Sequence, residues 1–87
     1  LEWGLINRVL PDAELLPAAL KLATELSEGP TKTLAAIRKL AWQSLDQDWE
    51  EQLAAERWSQ RDMGRNSDFT EGVTAFLQKR PAKFTGA

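Results

Sequence analysis

The residues best suited to chemistry are three cations near the end of the chain, Lys79, Arg80 and Lys83. They follow an apolar stripe at helical spacing, formed by Phe69, Val73, Phe76 and Leu77. A helix that is apolar on one face and basic at its end can pack against a protein body and offer charge to an anionic ligand. Phe76 lies one turn before Arg80 and could place an aromatic face beside the cations or pack in a core. Because basic residues also complement the helix dipole, these side chains alone leave anion binding open.

No catalytic or metal-binding group is predicted in these residues. The chain has no His, Cys or Tyr, which removes the usual near-neutral acid/base, thiolate ligands and any Ser-His arrangement. Glu50 and Glu51 are interpreted as first-turn charges that complement a helix dipole rather than as an acid/base pair. Residues 29–32 read GPTK, which fits a corner between helices better than a phosphate-binding loop.

Chain length and net charge limit the number of domains and the classes of partner. The 87 residues fit one domain or part of one, and a net charge of −2 with both signs interspersed disfavours a nucleic-acid partner. No apolar run reaches the roughly 20 residues of a membrane span, so no membrane partner is predicted. The lack of cysteine suits a reducing compartment, and we expect a cytoplasmic location. The first residue, Leu1, is not Met and lies in an apolar run, which we interpret as a sign of a fragment or a processed product.

The pattern of apolar residues predicts a mainly α chain. A short strand or extended segment is expected at Leu5–Val9, closed by Pro11. Four helices follow, at about Ala13–Glu28 with Asp12 as N-cap, Pro30–Leu45, Asp48–Met63 and Asp68–Arg80, before a tail at residues 81–87. The last two helices each begin with the spacing of a capping box, Asp48 with Glu51 and Asp68 with Glu71.

Four tryptophans are unusual for this length: Trp3, Trp42, Trp49 and Trp58. They could stack on a ligand, or they could pack in a core or against another subunit. Packing is the preferred interpretation, because Trp is a large apolar anchor with a single hydrogen-bond donor.

Three sequence segments resemble the crotonase (enoyl-CoA hydratase/isomerase) superfamily. They are GLINRVLP at residues 4–11, GPT at residues 29–31, and DFTEGVTAFLQKRP at residues 68–81 with FTG at residues 84–86. The resemblance covers essentially the whole chain and is most similar to the C-terminal third of these enzymes. The start of the last segment is most similar to the phenylacetate-pathway isomerase branch.

The resemblance implies an enzyme that binds acyl-CoA thioesters and stabilises an enolate with two backbone N–H groups. In the family the catalytic groups lie upstream of the residues that match GLINRVLP, so no catalytic residue is assigned here. Phe76 matches an aromatic near the adenine of coenzyme A, and Lys79 matches a lysine that reaches the nucleotide phosphate. Arg80 and Lys83 would be secondary contributors. No separate cofactor is implied, because coenzyme A is part of the substrate.

The resemblance also implies a division of the chain. Residues 1–11 would end the β/α spiral core, residues 12–66 would form packing and oligomerisation helices, and residues 67–87 would form a cover helix and tail. The parent enzyme would have about 170 further residues upstream and would assemble as a trimer or hexamer. The fragment alone would be inactive. The alternative is a free-standing helical module that self-associates without catalysis.

Overall fold

Four helices make up the fold in the computed structural model, which describes residues 1–87. They are α1 (Asp12–Ser27), α2 (Thr31–Gln43), α3 (Trp49–Met63) and α4 (Ser67–Gln78). The prediction of a mainly α chain with four helices is confirmed. The residues before α1 form turns, bends and irregular backbone, so of the two predicted alternatives the strand at Leu5–Val9 is wrong. A single strand needs a neighbour for its backbone hydrogen bonds, and this chain provides none.

The start of α3 follows its sequence signal. The Asp48 carboxylate accepts a hydrogen bond from the Glu51 amide at 2.8 Å, and the Glu51 carboxylate accepts one from the Asp48 amide at 3.2 Å. This is the predicted capping box. At α1 the N-cap position belongs to Pro11 and carries no side-chain bond, so the prediction of Asp12 as N-cap is wrong. Asp12 instead places a negative charge in the first turn, where the helix dipole favours it.

The start of α4 differs from its sequence signal. Asn66 is the N-cap, and its side-chain oxygen accepts a hydrogen bond from the Phe69 amide at 2.8 Å. The predicted capping box of Asp68 and Glu71 is therefore wrong. Asn is as good an N-cap as Asp, and Asn66 comes first along the chain. Both carboxylates are left available for other partners.

These helices enclose almost no core of their own. Only Ala75 and Asp68 are buried, and the Cα radius of gyration is 16.4 Å. A compact domain of this length would have a radius of about 12 Å. Helices α2 and α3 are the one pair in extensive contact. The apolar faces predicted from the sequence are consequently open, as shown by the exposure of Leu15, Leu22, Leu26, Ile37, Leu53 and Val73.

No helix in the structure combines the length and apolar character needed to span a bilayer.

Candidate functional site

The basic segment begins where α4 ends, in a left-handed turn. Lys79 has φ 53° and ψ 40°, and it is the one residue other than glycine with a positive φ. The Lys79 amide donates to the Phe76 carbonyl at 3.2 Å, and the Arg80 amide donates to the Ala75 carbonyl at 3.0 Å. These two bonds form a Schellman motif, which closes the helix by satisfying its free carbonyls.

The predicted helix continued to Arg80, with Lys79 and Arg80 in its last turn and Lys83 in the tail, and its last turn is wrong. The helix ends at Gln78, and its last turn holds no basic residue. Arg80 precedes Pro81, and a residue before proline is disfavoured in the α region. The chain therefore leaves the helix at Lys79, and the cations lie in a turn and a tail.

Glu71 binds the first part of the tail. Its carboxylate accepts two hydrogen bonds from the Arg80 guanidinium, at 2.7 and 2.9 Å, and one from the Lys83 amide at 2.8 Å. The Glu71–Arg80 contact is the only ion pair in the structure. The hydrogen bonds from Arg80, and then the one from the Lys83 amide, lower the pKa of Glu71 to about 2. The same contact raises the pKa of Arg80.

Asp68 binds the second part of the tail. Its side chain is 3% exposed, and it accepts hydrogen bonds from the amides of Thr85 and Gly86, both at 2.8 Å. The Thr85 hydroxyl is a third donor at 3.3 Å. Between the two carboxylates, the Phe84 ring packs over Gly72, 3.5 Å from the position that a Cβ on this residue would take. The tail thus runs back along α4 and is held by Glu71, by Asp68 and at Ala87, whose carbonyl accepts from the Ser67 hydroxyl at 3.0 Å and from the Asp68 amide at 3.2 Å.

The structure separates the four predicted ligand-binding residues into two groups. Arg80 and Lys83 line one shallow depression together with Glu71 and Pro81. Phe76 and Lys79 are not part of that depression. Phe76 is 82% exposed, and Lys79 is exposed on the turn that follows it. Among the three cations of this set, Arg80 is paired with Glu71, whereas Lys79 and Lys83 have no ion-pair partner.

Sequence reasoning missed the roles of Glu71 and Asp68. Their nearest signal, the capping-box spacing, pointed to a local partner three residues away. The actual partners lie 9 and 17 residues further along the chain. Two closely spaced carboxylates before a basic, Gly-containing tail are the only hint that the sequence offers.

None of the four tryptophans is buried in the structure. Trp3, Trp42, Trp49 and Trp58 are between 59% and 86% exposed. Trp58 has one specific contact, since the Arg61 guanidinium lies 4.9 Å from its ring centroid. Such a cation–π contact at an exposed site is worth about 0.5–1 kcal/mol and does not itself define a ligand site.

Comparison with known proteins gives a consistent result. The family model described as enoyl-CoA hydratase/isomerase matches residues 1–87. The chain is 41% identical over 85 residues to the 1,2-epoxyphenylacetyl-CoA isomerase of Escherichia coli K12, covering 98% of this chain and 32% of that protein. It is 34% identical over 86 residues to the trans-2-decenoyl-[acyl-carrier-protein] isomerase of Streptococcus mutans, covering 99% of this chain and 33% of that protein.

Solved structures give the same picture. An enoyl-CoA hydratase from Polaromonas sp. JS666 superposes with a TM-score of 0.90 at 31% identity, covering 97% of this chain and 33% of that one. An enoyl-CoA hydratase from Geobacillus kaustophilus HTA426 superposes with a TM-score of 0.93 at 29% identity, covering 99% of this chain and 33% of that one. The chain spans about a third of the length of the relatives it matches.

Proposed function

We propose, because this chain belongs to the enoyl-CoA hydratase/isomerase family, that it is the C-terminal helical part of an enzyme acting on acyl-CoA thioesters. The observation that carries the proposal is the match of the family model to all 87 residues. That match confirms the resemblance of the sequence to the crotonase superfamily. The four helices have the same arrangement as the helical part of a crotonase-fold enzyme. The isomerase from E. coli supports the phenylacetate branch as the finer assignment.

The proposed reaction proceeds through an enolate whose oxyanion is held by two backbone N–H groups. Donors aimed at the place where negative charge develops lower the barrier most in a water-excluded site. We place those donors, and the carboxylates that move protons, in the remainder of the parent enzyme. Residues 1–87 would be inactive alone, and their part is to bind the nucleotide end of coenzyme A and to build the assembly. No cofactor beyond the substrate's own coenzyme A is needed for this chemistry.

The nucleotide contact is assigned to Lys79 and Phe76. The Schellman motif fixes the backbone at Lys79, and no carboxylate pairs with its ammonium group. A lysine held in this way can act as a point charge beside a phosphate. Phe76, one turn earlier and largely exposed, offers an apolar face to an adenine ring. Arg80 and Lys83 are secondary contributors to the positive charge near this end of α4.

The open faces support a role in assembly. A chain with two buried residues and exposed leucines and tryptophans would leave large apolar patches in water if it stood alone. We therefore propose that residues 12–66 pack against the rest of the parent enzyme and against neighbouring subunits of a trimer or hexamer. Residues 1–11 would end the spiral core, and residues 67–87 would cover it. A cytoplasmic location belongs to the same proposal.

The lack of a shared core argues against the alternative of a free-standing helical module. Such a module would have to bury its apolar faces within itself or within a complex of identical short chains. The radius of gyration of 16.4 Å and the sparse contacts between helices other than α2 and α3 do not support the first of these. Sedimentation of residues 1–87 alone tests the second, since a stable, cooperatively unfolding oligomer would favour the module.

Binding of coenzyme A to the full-length protein tests the enzyme proposal. Calorimetry should give a measurable Kd, and saturating ligand should raise the melting temperature. Lys79→Ala should weaken binding by about fivefold, the effect of losing roughly 1 kcal/mol from an exposed charge pair. Lys21→Ala, on the exposed surface of α1, is the matched control and should bind as the native protein does.

The two parts of the proposal fail separately. If coenzyme A neither binds nor raises the melting temperature, the acyl-CoA function is wrong. If it binds and Lys79→Ala matches Lys21→Ala, only the assignment of the nucleotide contact is wrong.

A further inference from the structure

We infer that Glu71 is a positioning residue for the nucleotide contact, because it holds the tail and thereby fixes the left-handed turn that carries Lys79. The inference rests on the proposed function and extends it to a residue that does not itself touch the ligand. It also assigns Arg80 a definite task, which is to connect the turn to Glu71 rather than to bind phosphate directly.

The geometry places Lys79 between two fixed points. On its N-terminal side, the amides of Lys79 and Arg80 bond to the last carbonyls of α4. On its C-terminal side, Glu71 binds the Arg80 guanidinium through both carboxylate oxygens and also binds the Lys83 amide. A non-glycine residue in the left-handed region is under strain and persists only where the surroundings hold it. Glu71 supplies the side-chain part of that restraint.

The Arg80 guanidinium uses four of its five N–H donors within the chain. Besides the two bonds to Glu71, its Nε donates to the Gln78 side-chain oxygen at 2.7 Å, and one terminal nitrogen also donates to the Pro81 carbonyl at 3.0 Å. To bind a phosphate through two N–H groups it would have to give up part of a bidentate carboxylate contact, one of the stronger contacts in proteins. The low pKa of Glu71 is consistent with a carboxylate that stays ionised and bound to Arg80.

Charge and position predict opposite outcomes when Glu71 is removed. Deleting a carboxylate from a basic segment increases the positive charge, so electrostatics alone predicts tighter binding of the anionic coenzyme A. Loss of the restraint lets the Lys79 turn sample other conformations, so the positioning role predicts weaker binding. If the competent turn falls to about 10–30% of the population, the apparent Kd rises by about three- to tenfold.

A double-mutant cycle in the full-length protein tests the inference, with coenzyme A as the probe and calorimetric Kd as the readout. Glu71→Ala and Arg80→Ala should each weaken binding by about three- to tenfold, and the double variant should be no weaker than either alone. Glu71→Gln, which retains an acceptor for the Lys83 amide, should lie between Glu71→Ala and the native protein. In Glu71→Ala the Lys83 amide should also exchange its hydrogen faster, which reports release of the tail.

Several results would overturn the inference. Tighter binding by Glu71→Ala, or weaker binding by Arg80→Ala with Glu71→Ala unchanged, would mean that Arg80 contacts the ligand and Glu71 only opposes it. If Glu71→Ala fails to fold, Glu71→Gln provides the test: weaker binding of coenzyme A supports the inference, and tighter binding overturns it. Lys79→Ala separates this result from the underlying proposal. Weaker binding by Lys79→Ala alone refutes only the positioning role, whereas native binding by Lys79→Ala refutes the nucleotide contact itself.

Discussion

The left-handed turn at Lys79 provides a way to separate the backbone from the charge. Lys79→Gly and Lys79→Ala both remove the ammonium group, but they differ in how well they tolerate φ 53° and ψ 40°. Glycine adopts this region without a steric penalty, whereas alanine keeps the Cβ that makes it unfavourable. The pair of variants therefore differs almost only in the backbone strain at one residue.

The magnitude of the difference can be worked from the conformation. A residue with a Cβ pays about 1–2 kcal/mol in the left-handed region. Glycine loses about 0.5–1 kcal/mol more than alanine in backbone entropy on folding. At the midpoints of these ranges Lys79→Gly is more stable than Lys79→Ala by about 0.75 kcal/mol. For a domain of roughly 150–250 residues this corresponds to about 1.5–3 °C in melting temperature.

The assay is thermal and denaturant unfolding of the two variants in the full-length protein, with calorimetry of coenzyme A on the same samples. We expect Lys79→Gly to unfold at the higher temperature and both variants to show the same weakened Kd. Equal melting temperatures would refute the left-handed assignment at Lys79. If either variant binds coenzyme A with native affinity, the ammonium group of Lys79 contributes nothing to ligand binding.

Two further predictions concern the carboxylates that hold the tail. Asp68→Ala should leave the amides of Thr85 and Gly86 without their acceptor at a part-buried site, which costs about 1–3 kcal/mol and should speed hydrogen exchange at both amides. Glu71 has a pKa lowered from 4.5 to about 2, so its stabilising contribution is present above pH 4.5 and is lost as the pH falls through about 2. Its carboxyl carbon should titrate near that lower value by NMR, and Arg80→Ala should return the titration towards 4.5.

The hydrogen-exchange prediction has a control in the same chain. Asp62→Ala removes an exposed carboxylate of α3 and should leave exchange at the tail unchanged. Slow exchange at Thr85 in Asp68→Ala would contradict the role of Asp68 as its acceptor. A Glu71 titration that ignores Arg80→Ala would mean that the ion pair is not formed in solution.

Structural features that depend on residues close together in the sequence could be predicted from the sequence. The helices follow from apolar residues at intervals of three and four, and the capping box at α3 joins Asp48 to a residue three positions away. The same spacing at Asp68 failed, because Asn66 had already capped α4 and the carboxylates bind distant parts of the chain. A pattern that spans four residues carries no information about a hydrogen-bond donor 17 residues away, such as the Thr85 amide.

The cluster of Lys79, Arg80 and Lys83 shows the same difference between features set by neighbouring residues and features set by distant contacts. The sequence by itself determined the charges, the helix before them and the stop imposed by Pro81, because each depends on residue type and adjacent backbone. Only the tertiary structure decided that Lys79 turns left-handed, that Arg80 is committed to Glu71 and that the tail lies along α4. Those outcomes depend on which donor and acceptor meet when the chain folds back, and that meeting is a property of three-dimensional packing.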